Sequence, residues 1–478
     1  AMTSALPDPA ENLTARPWFF CGIGGSGMLP LATILKGLGA EVAGSDRSFD
    51  QGRTPEKFAW LEKQGFDLYP QDGSGIADAA QVLVASAAVE DTVPEVVRAN
   101  ELGCARMTRA QLLAQLFNAA PQGIAVGGTS GKSTVTGMLG WIMESTDADP
   151  TIMNGAVMKN FRKGESGFAS AKVGKGKAFV SEVDESDGSI ALYRPEVAVL
   201  LNVSLDHKEM DELRDLFGAF LDVSTRGVVN ADDDEAFRLV AHANDPLTFG
   251  IANSCAALGV VADSVVERAT GQSATIVDRR DGSEHALTLQ MPGRHNLSNA
   301  LAAIAGANAA GVPVADAVAA LAGFEGLARR FDIVGTSAGG ITVIDDFGHN
   351  PEKCAATLRT LKAHGGRVIA LFQPHGYGPL RQMGHELAET FARELGPEDV
   401  TIFTDPVYFG GTVDRSQGSQ RIVALIEKVG GTARHIADRA DAGDEIGEMA
   451  KPGDRIVIMG ARDDTLSQFA RDLLASLK

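Results

Sequence analysis

The chain has 478 residues, 44% of them hydrophobic and 22% charged, with 43 Lys and Arg against 62 Asp and Glu for a formal net charge of −19. At about 150 residues per domain this length allows three domains, and the composition excludes wholesale disorder, a collagen-like repeat and a disulfide-stapled miniature. So acidic a chain has no general attraction for nucleic acid or an anionic membrane, so any anionic ligand must be met by local groups.

Four cysteines, Cys21, Cys104, Cys255 and Cys354, lie far apart with no CxxC pair, the usage of a reducing compartment. The Ala-rich run Asn299–Phe324 comes nearest to a membrane span, but its residues are small and Asn308 and Asp316 interrupt it. Asp8 and Glu11 stand where a signal peptide needs an apolar stretch, and Ala1 ahead of Met2 is set aside as a cloning remnant. These features predict a cytoplasmic protein without membrane or nucleic-acid partners, and leave monomer and homodimer both open.

In chain order, the apolar run Trp18–Ile23, its glycines, a helical pattern to Gly39 and Glu41–Gly44 predict a βαβ unit. A strand at Val82–Ala85 and helices at Glu95–Glu101 and Arg109–Phe117 follow, up to a boundary near Ala120-Pro121. A second segment opens with a strand at Gly123–Val126, a glycine-rich loop and a helix over Thr134–Met143. Strands recur at Lys177–Val180 and Val197–Leu201, and Ala-rich helices fill Asn296–Gly311 and Val314–Ala322. Past a boundary near residue 330, strands at Ile341–Ile344, Val368–Phe372, Val400–Phe403 and Arg455–Met459 alternate with helical patterns. Such alternation predicts an α/β fold of parallel sheets covered on both faces, in domains spanning residues 1–120, 121–328 and 329–478.

Gly128-Thr129-Ser130-Gly131-Lys132-Ser133-Thr134 follows a strand and opens a helix, the setting that a phosphate-binding loop requires. Its glycines let backbone N–H groups converge on phosphates, and the helix N-terminus adds partial positive charge. Lys132 supplies a full charge and Ser133 can ligate Mg²⁺. The first glycine of a strict GxxxxGK[ST] falls on Val126, so the loop is a variant. A glycine turn that only caps a helix would leave the lysine and hydroxyl unexplained. Glu182-Val183-Asp184-Glu185-Ser186-Asp187 and Asn202-Val203-Ser204-Leu205-Asp206-His207 each follow a strand, where α/β sites lie. Alone they read as a solvated turn and a surface histidine. Downstream of a phosphate loop, Glu182 and His207 read as ligands, with Ser133, of an oxygen-preferring Mg²⁺.

Gly22, Gly24 and Gly27, with Asp46 some way on, also satisfy the dinucleotide fingerprint. An NAD-dependent dehydrogenase would leave the second phosphate loop idle, whereas UDP is a diphosphate that the same loop physics serves.

Taken in order, these segments resemble the Mur ligase family over nearly the whole chain. The resemblance is carried by Gly22-Ile23-Gly24-Gly25-Ser26-Gly27-Met28 with Gly44-Ser45-Asp46, by the loop at 128–134, and by the Glu182 and Asn202 segments. It continues through Gly293-Arg294-His295-Asn296-Leu297-Ser298-Asn299, Arg329-Arg330-Phe331, Asp345-Asp346-Phe347-Gly348-His349-Asn350-Pro351 and Phe372-Gln373-Pro374-His375. It implies a Rossmann-like first domain that binds a UDP-sugar, a central P-loop ATPase-type domain and a Rossmann-like third domain. The implied reaction is the ATP- and Mg²⁺-dependent joining of an amino acid, L-alanine in the nearest branch, to UDP-N-acetylmuramate through an acyl phosphate, in peptidoglycan precursor synthesis. The resemblance further implies that Gly128 to Thr134 bind ATP phosphate, with catalytic roles for Lys132, Glu182, His207 and His349. Adenine falls to His295, Asn296 and Asn299, with Arg330 and Asp346 also on the nucleotide. Gly22, Gly24, Gly25, Ser26, Gly27, Met28, Ser45, Asp46, Ser86 and Asn160 would serve the sugar nucleotide, and His349 and Arg381 the amino acid.

The sequence departs from the alanine-adding branch at three places. Ser130 replaces a histidine; Gly376 and Pro379 replace arginines, leaving Arg381 as the nearby cation. No lysine follows His207 at the spacing where sister enzymes carry a carbamylated one, Lys208 being nearest. A different amino acid, a murein peptide as acceptor, or a nucleotide-binding paralogue without ligase activity therefore stay open on sequence. His375 is expected to orient its loop, Tyr377 to pack, and Cys21 and Cys354 to act as small core hydrophobes.

Overall fold

Short apolar runs bounded by glycine become strands buried on both faces. Every residue of Trp18–Cys21, Val82–Ala85, Val197–Leu200, Val368–Gln373 and Arg455–Gly460 is buried, the pattern of parallel sheets sandwiched between helices. The structure is a computed structural model and describes residues 13–162, 170–205, 208–406, 418–461, 463 and 465–478. The chain packs as two compact units. Unit 1 comprises the chain up to Val266, Ser273–Gln290 and Arg294–Glu325; unit 2 comprises Glu267–Gln272, Met291–Gly293 and Gly326–Lys478.

The first sheet of unit 1 holds β1 (Trp18–Cys21), β2 (Val42–Ser45), β3 (Asp67–Tyr69), β4 (Val82–Ala85) and β5 (Ala105–Thr108), in the order β3-β2-β1-β4-β5. All its pairings are parallel. The strand order reverses between β1 and β4, and ligands of such sheets bind outside the carboxyl ends at that point. The loop Gly22–Met28 lies there, between β1 and the helix Met28–Gly37.

The second sheet holds β6 (Gln122–Gly127), β7 (Thr151–Met153), β8 (Ala171–Lys172), β9 (Ala178–Glu182), β10 (Val197–Leu200), β11 (Arg226–Asn230), β12 (Leu247–Phe249), β13 (Leu258–Val260), β14 (Val266–Arg268), β15 (Gly271–Asp278) and β16 (Ser283–Leu289). Its centre, β7-β9-β6-β10-β11-β12, is parallel. The Ala-rich helix Arg294–Ala309 lies close over the helix Lys132–Ser145, and a Cβ on its Gly306 would sit 3.1 Å from both Leu139 and Val199. Small residues permit that approach.

The two sheets share one core. Phe117, fully buried, sets its ring 5.1 Å from Tyr193 and 5.6 Å from Phe179. It fills the space above Gly123, where a Cβ would come within 2.6 Å of the ring. Beside it Asn118 donates to Leu192 O at 2.9 Å and accepts from Arg194 N at 2.8 Å.

Unit 2 carries β17 (Asp332–Thr336), β18 (Thr342–Asp346), β19 (Val368–Gln373), β20 (Val400–Phe403), β21 (Ala433–His435) and β22 (Arg455–Gly460), in the order β17-β18-β22-β19-β20-β21. Phe372, Phe391 and Phe403, all buried, form a triangle of rings 5.2 to 5.7 Å apart beneath it.

The expectation of parallel sheets needs correcting at the edges. β8, β15 and β17 run antiparallel to β7, β13 and β18. Along β15, buried and half-exposed residues alternate, the mark of an antiparallel strand with one face toward water. Gly282, at φ +76°, turns that strand toward β16. Cys21 and Cys354 are buried as expected. Burial, helped by Glu95, pushes the Cys21 thiol up to about 12, so it packs rather than reacts. Among the described residues no helix is long and apolar enough to cross a membrane.

Phe117→Ala removes the ring shared by both sheets and is expected to destabilise unit 1 by about 3–5 kcal/mol. Denaturant unfolding followed by tryptophan fluorescence measures this, and a loss below about 1 kcal/mol contradicts the shared core.

Candidate functional site

Two glycines shape the phosphate loop. β6 ends at Gly127, Gly128 follows at φ +150°, and Gly131 at φ +87° is the N-cap of the helix Lys132–Ser145. Side chains are strained at such angles, and here they also lack room. A Cβ on Gly131 would lie 2.9 Å from Asn299 Oδ1, and one on Gly128 would lie 3.0 Å from Leu201 Cβ. Asn202, just beyond β10, braces the loop. Its Oδ1 accepts from the N–H groups of Thr129 and Ser130, each at 2.9 Å, and its Nδ2 donates to Ser130 O at 3.0 Å. Ser204 N donates to Thr129 Oγ1 at 3.0 Å.

Sheet register sets the acidic wall. Val126 pairs with Glu182 across β6 and β9, so the Glu182 side chain emerges beside the loop. Ser133 Oγ donates to Glu182 Oε2 at 3.0 Å, and Asn154 Nδ2 holds Ser133 O at 3.0 Å. A Cβ on Gly155 would lie 2.4 Å from Glu182 Oε1, so the backbone there passes close to the carboxylate. Lys132 Nζ pairs with Glu185 Oε2 at 3.0 Å, the two side chains being 20% and 7% exposed. Glu185 and Asn202 lay inside segments singled out by sequence, yet neither had a role there.

Ser133 and Glu182 offer the hard oxygen donors that Mg²⁺ takes, and such a cation usually completes its shell with phosphate oxygens and water. These residues fit. Among the described residues no group of three His, Cys, Asp or Glu side chains gathers as a complete metal cage; His207 lies outside the described residues. Asn299, within the first turns of its helix, lies over Gly131 and donates to Asn296 at 3.4 Å. His295 belongs to the same turn.

At the first loop, Gly22 at φ +76° and Ile23 donate to Ser45 O at 2.8 and 3.0 Å. Gly24 N donates to Asp46 Oδ2 at 2.9 Å, while Asp46 Oδ1 accepts from Ser48 N at 2.8 Å. Gly25 N donates to Gly22 O, and Met28 N to Gly25 O. Ser26 is exposed, as is Ser86 beyond β4. Ser45 and Asn160 also have protein partners. Ser45 is fully buried and donates its hydroxyl to Glu95 at 2.7 Å. Asn160 uses both ends of its amide, on Gly323 O and Glu325 N, each at 2.8 Å.

The Tyr193 phenol responds to charged side chains at both loops. Burial pushes the Tyr193 phenol well up; Arg109 opposes that rise, while Asp187 and Glu182 add to it. Arg109 is also the side chain against Gly27 of the first loop, and Glu182 is the one at Ser133.

In unit 2, Asp346 ends β18 and accepts from Phe331 N at 3.0 Å, Gly348 N at 3.3 Å and Thr357 Oγ1 at 2.6 Å. Arg329 and Phe331 have φ of +61° and +43°, and Arg330 stands between them. Arg329 donates to Asp345 at 3.2 Å and lies 5.5 Å from the Phe347 ring centroid. Burial raises the Asp345 carboxyl despite that partner. His349 Nδ1 is 3.2 Å from Phe347 O.

Arg381 is exposed on the helix Tyr377–Glu394, and Tyr377 is buried. Pro379 occupies that helix's first turn, where its missing N–H costs little. A cavity of about 520 Å³ opens nearby at the carboxyl ends of β19 and β20, lined by Gln373, Asp405, Asp438, Arg439, Asp463 and Thr465. Nothing in the sequence pattern marked it. Arg439 bridges Gln373 Oε1 at 3.1 Å and Asp463 Oδ2 at 3.2 Å.

Gly131→Ala should therefore weaken ATP binding by about tenfold or more while leaving the fold intact. Calorimetric titration alongside circular dichroism checks it, and unaltered affinity contradicts the loop geometry.

Three family models match the chain in order: "Mur ligase family, catalytic domain" over residues 19–120, "Mur ligase middle domain" over 126–307 and "Mur ligase, glutamate ligase domain" over 329–462. The UDP-N-acetylmuramate–L-alanine ligase of Agrobacterium fabrum is 34% identical over 475 residues, covering 96% of each chain. That of Streptomyces coelicolor is 35% identical over 480 residues, covering 97% of each. Among solved structures, the UDP-N-acetylmuramate–alanine ligase of Thermotoga maritima superposes with a TM-score of 0.78 at 24% identity, over 96% of this chain and 99% of that one. A murein peptide ligase from Psychrobacter arcticus gives 0.67 at 23% identity, over 96% and 98%. Matched in order along its length and in three-domain α/β fold, this chain belongs to the Mur ligase family.

Proposed function

We propose that this chain joins L-alanine to the carboxylate of UDP-N-acetylmuramate with cleavage of ATP to ADP and phosphate, a cytoplasmic step of peptidoglycan precursor synthesis. One observation carries the reading: Lys132, Ser133 and Glu182 converge at the phosphate loop, in the same compact unit as a second glycine loop suited to a nucleotide sugar. Relatives named for this reaction over nearly the whole chain support alanine as acceptor. Residues 1–120, 121–328 and 329–478 are the corresponding domains.

In this reaction the sugar carboxylate attacks the terminal phosphorus of ATP, the bridging P–O bond breaks, and ADP leaves an acyl phosphate. The lone pair of the neutral amine then attacks the acyl carbon, phosphate departs with the bonding electrons, and the nitrogen loses a proton. Two anions must meet in the first step, so positive charge has to be placed between them. Lys132 supplies it by exchanging the Glu185 carboxylate for phosphate oxygens. Mg²⁺, when bound by Ser133, Glu182 and His207, supplies electrophilic stabilisation of the phosphoryl oxygens. Asn202 keeps the loop amides aligned. His295, Asn296, Asn299, Arg330 and Asp346 are assigned to the nucleotide, and His349 and Arg381 to the amino acid.

Release of ADP and phosphate, assayed with UDP-N-acetylmuramate and each of the twenty amino acids or a murein tripeptide, tests this. Turnover is expected with L-alanine, and Lys132→Ala is expected to lower kcat by about a hundredfold or more. Absence of turnover with every amine contradicts ligase activity, and turnover with the tripeptide alone contradicts the alanine reading.

A further inference from the structure

The first glycine loop offers a ligand fewer donors than its sequence suggests. Gly22 and Ile23 spend their N–H groups on Ser45 O, Gly24 on Asp46, Gly25 on Gly22 O and Met28 on Gly25 O. Among the described residues, Ser26 and Gly27 are the loop positions whose N–H groups keep no internal acceptor. Two amides are a thin receptor for a diphosphate, and a chain of net charge −19 gives no background attraction.

The missing charge stands beside them. Arg109, first residue of the helix Arg109–Ala119, lays its side chain across Gly27. A Cβ on Gly27 would lie 3.0 Å from Arg109 Cδ, 3.2 Å from Nε and 3.7 Å from Cζ. Gly27 is thus a glycine whose missing side chain makes room for a guanidinium. Arg109 is half-buried, and among the described residues it makes no hydrogen bond or ion pair. Arg329 and Arg367, comparably sheltered, each have an aspartate partner. A sheltered guanidinium without a counter-ion is costly, and its planar fork matches a phosphate edge.

We propose that Arg109 is the cation that binds the diphosphate of the sugar nucleotide, with the N–H groups of Ser26 and Gly27 completing the receptor. This rests on the reading of the first loop as the sugar-nucleotide site.

Calorimetric titration of UDP and of uridine into the wild type, Arg109→Met and Arg109→Lys, with steady-state kinetics alongside, tests the assignment. Arg109→Met is expected to weaken UDP binding and raise KM for the sugar nucleotide by about tenfold to a hundredfold. KM for ATP and the affinity for uridine should stay within about twofold of wild type, with Arg109→Lys in between. Equal UDP affinity in the wild type and Arg109→Met, with both variants folded by circular dichroism, overturns the role of Arg109. Equal loss of ATP and UDP binding overturns it too, since that reports a structural effect. A wild type that binds NADH but not UDP overturns the sugar-nucleotide reading itself.

Discussion

The nucleotide end of this protein depends on one parallel register, that of β6 lying between β9 and β10. Val126 sits opposite Glu182 and Gly127 opposite Leu200, so three chain segments remote in sequence end at the same height. From that alignment come the Ser133–Glu182 bond, the Lys132–Glu185 pair and the brace from Asn202. A slip of one residue would turn each of these side chains to the other face of the sheet. The apolar burial of all three strands on both faces is what holds the register in place.

The same alignment explains why the loop keeps its shape by internal bonds. Asn202 supplies an acceptor oxygen to the Thr129 and Ser130 amides, Glu185 a carboxylate to Lys132, and Glu182 a carboxylate to Ser133. The Thr129 and Ser130 amides, the Lys132 ammonium and the Ser133 hydroxyl thus already have protein acceptors. Preorganisation of this kind reduces the ordering that binding must impose, and it leaves a sheltered lysine charged and compensated.

What the sequence made legible was whatever is contiguous. The loop at 128–134 was readable because strand, glycines, lysine and hydroxyl are neighbours in the chain, and Glu182 because it stands at the carboxyl end of an apolar strand. Glu185, Asn202 and Arg109 could not be singled out, since their contacts with the loops arise from strand register and helix packing that no local pattern encodes. The antiparallel β8 escaped for a related reason: it is two residues long, too short to show a period. Ser45 illustrates the converse. Its hydroxyl goes to Glu95 on the helix Pro94–Leu102, a contact that its place in a family-like segment does not reveal. At Gly376 and Pro379 the departures from the alanine-adding pattern coincide with a helix start. An extended glycine N-cap and a first-turn proline are compatible with that start, so the helix itself does not need the arginines.

The most direct measurement is a crystal structure of the chain with a non-hydrolysable ATP analogue, Mg²⁺ and UDP-N-acetylmuramate. The expected density puts the terminal phosphates on Gly128–Ser133, with Lys132 drawn from Glu185 toward them, and the sugar's carboxylate facing the last phosphate from the Gly22–Met28 side. Phosphates bound elsewhere with the Lys132–Glu185 pair intact, or a sugar nucleotide seated away from the first glycine loop, would contradict it.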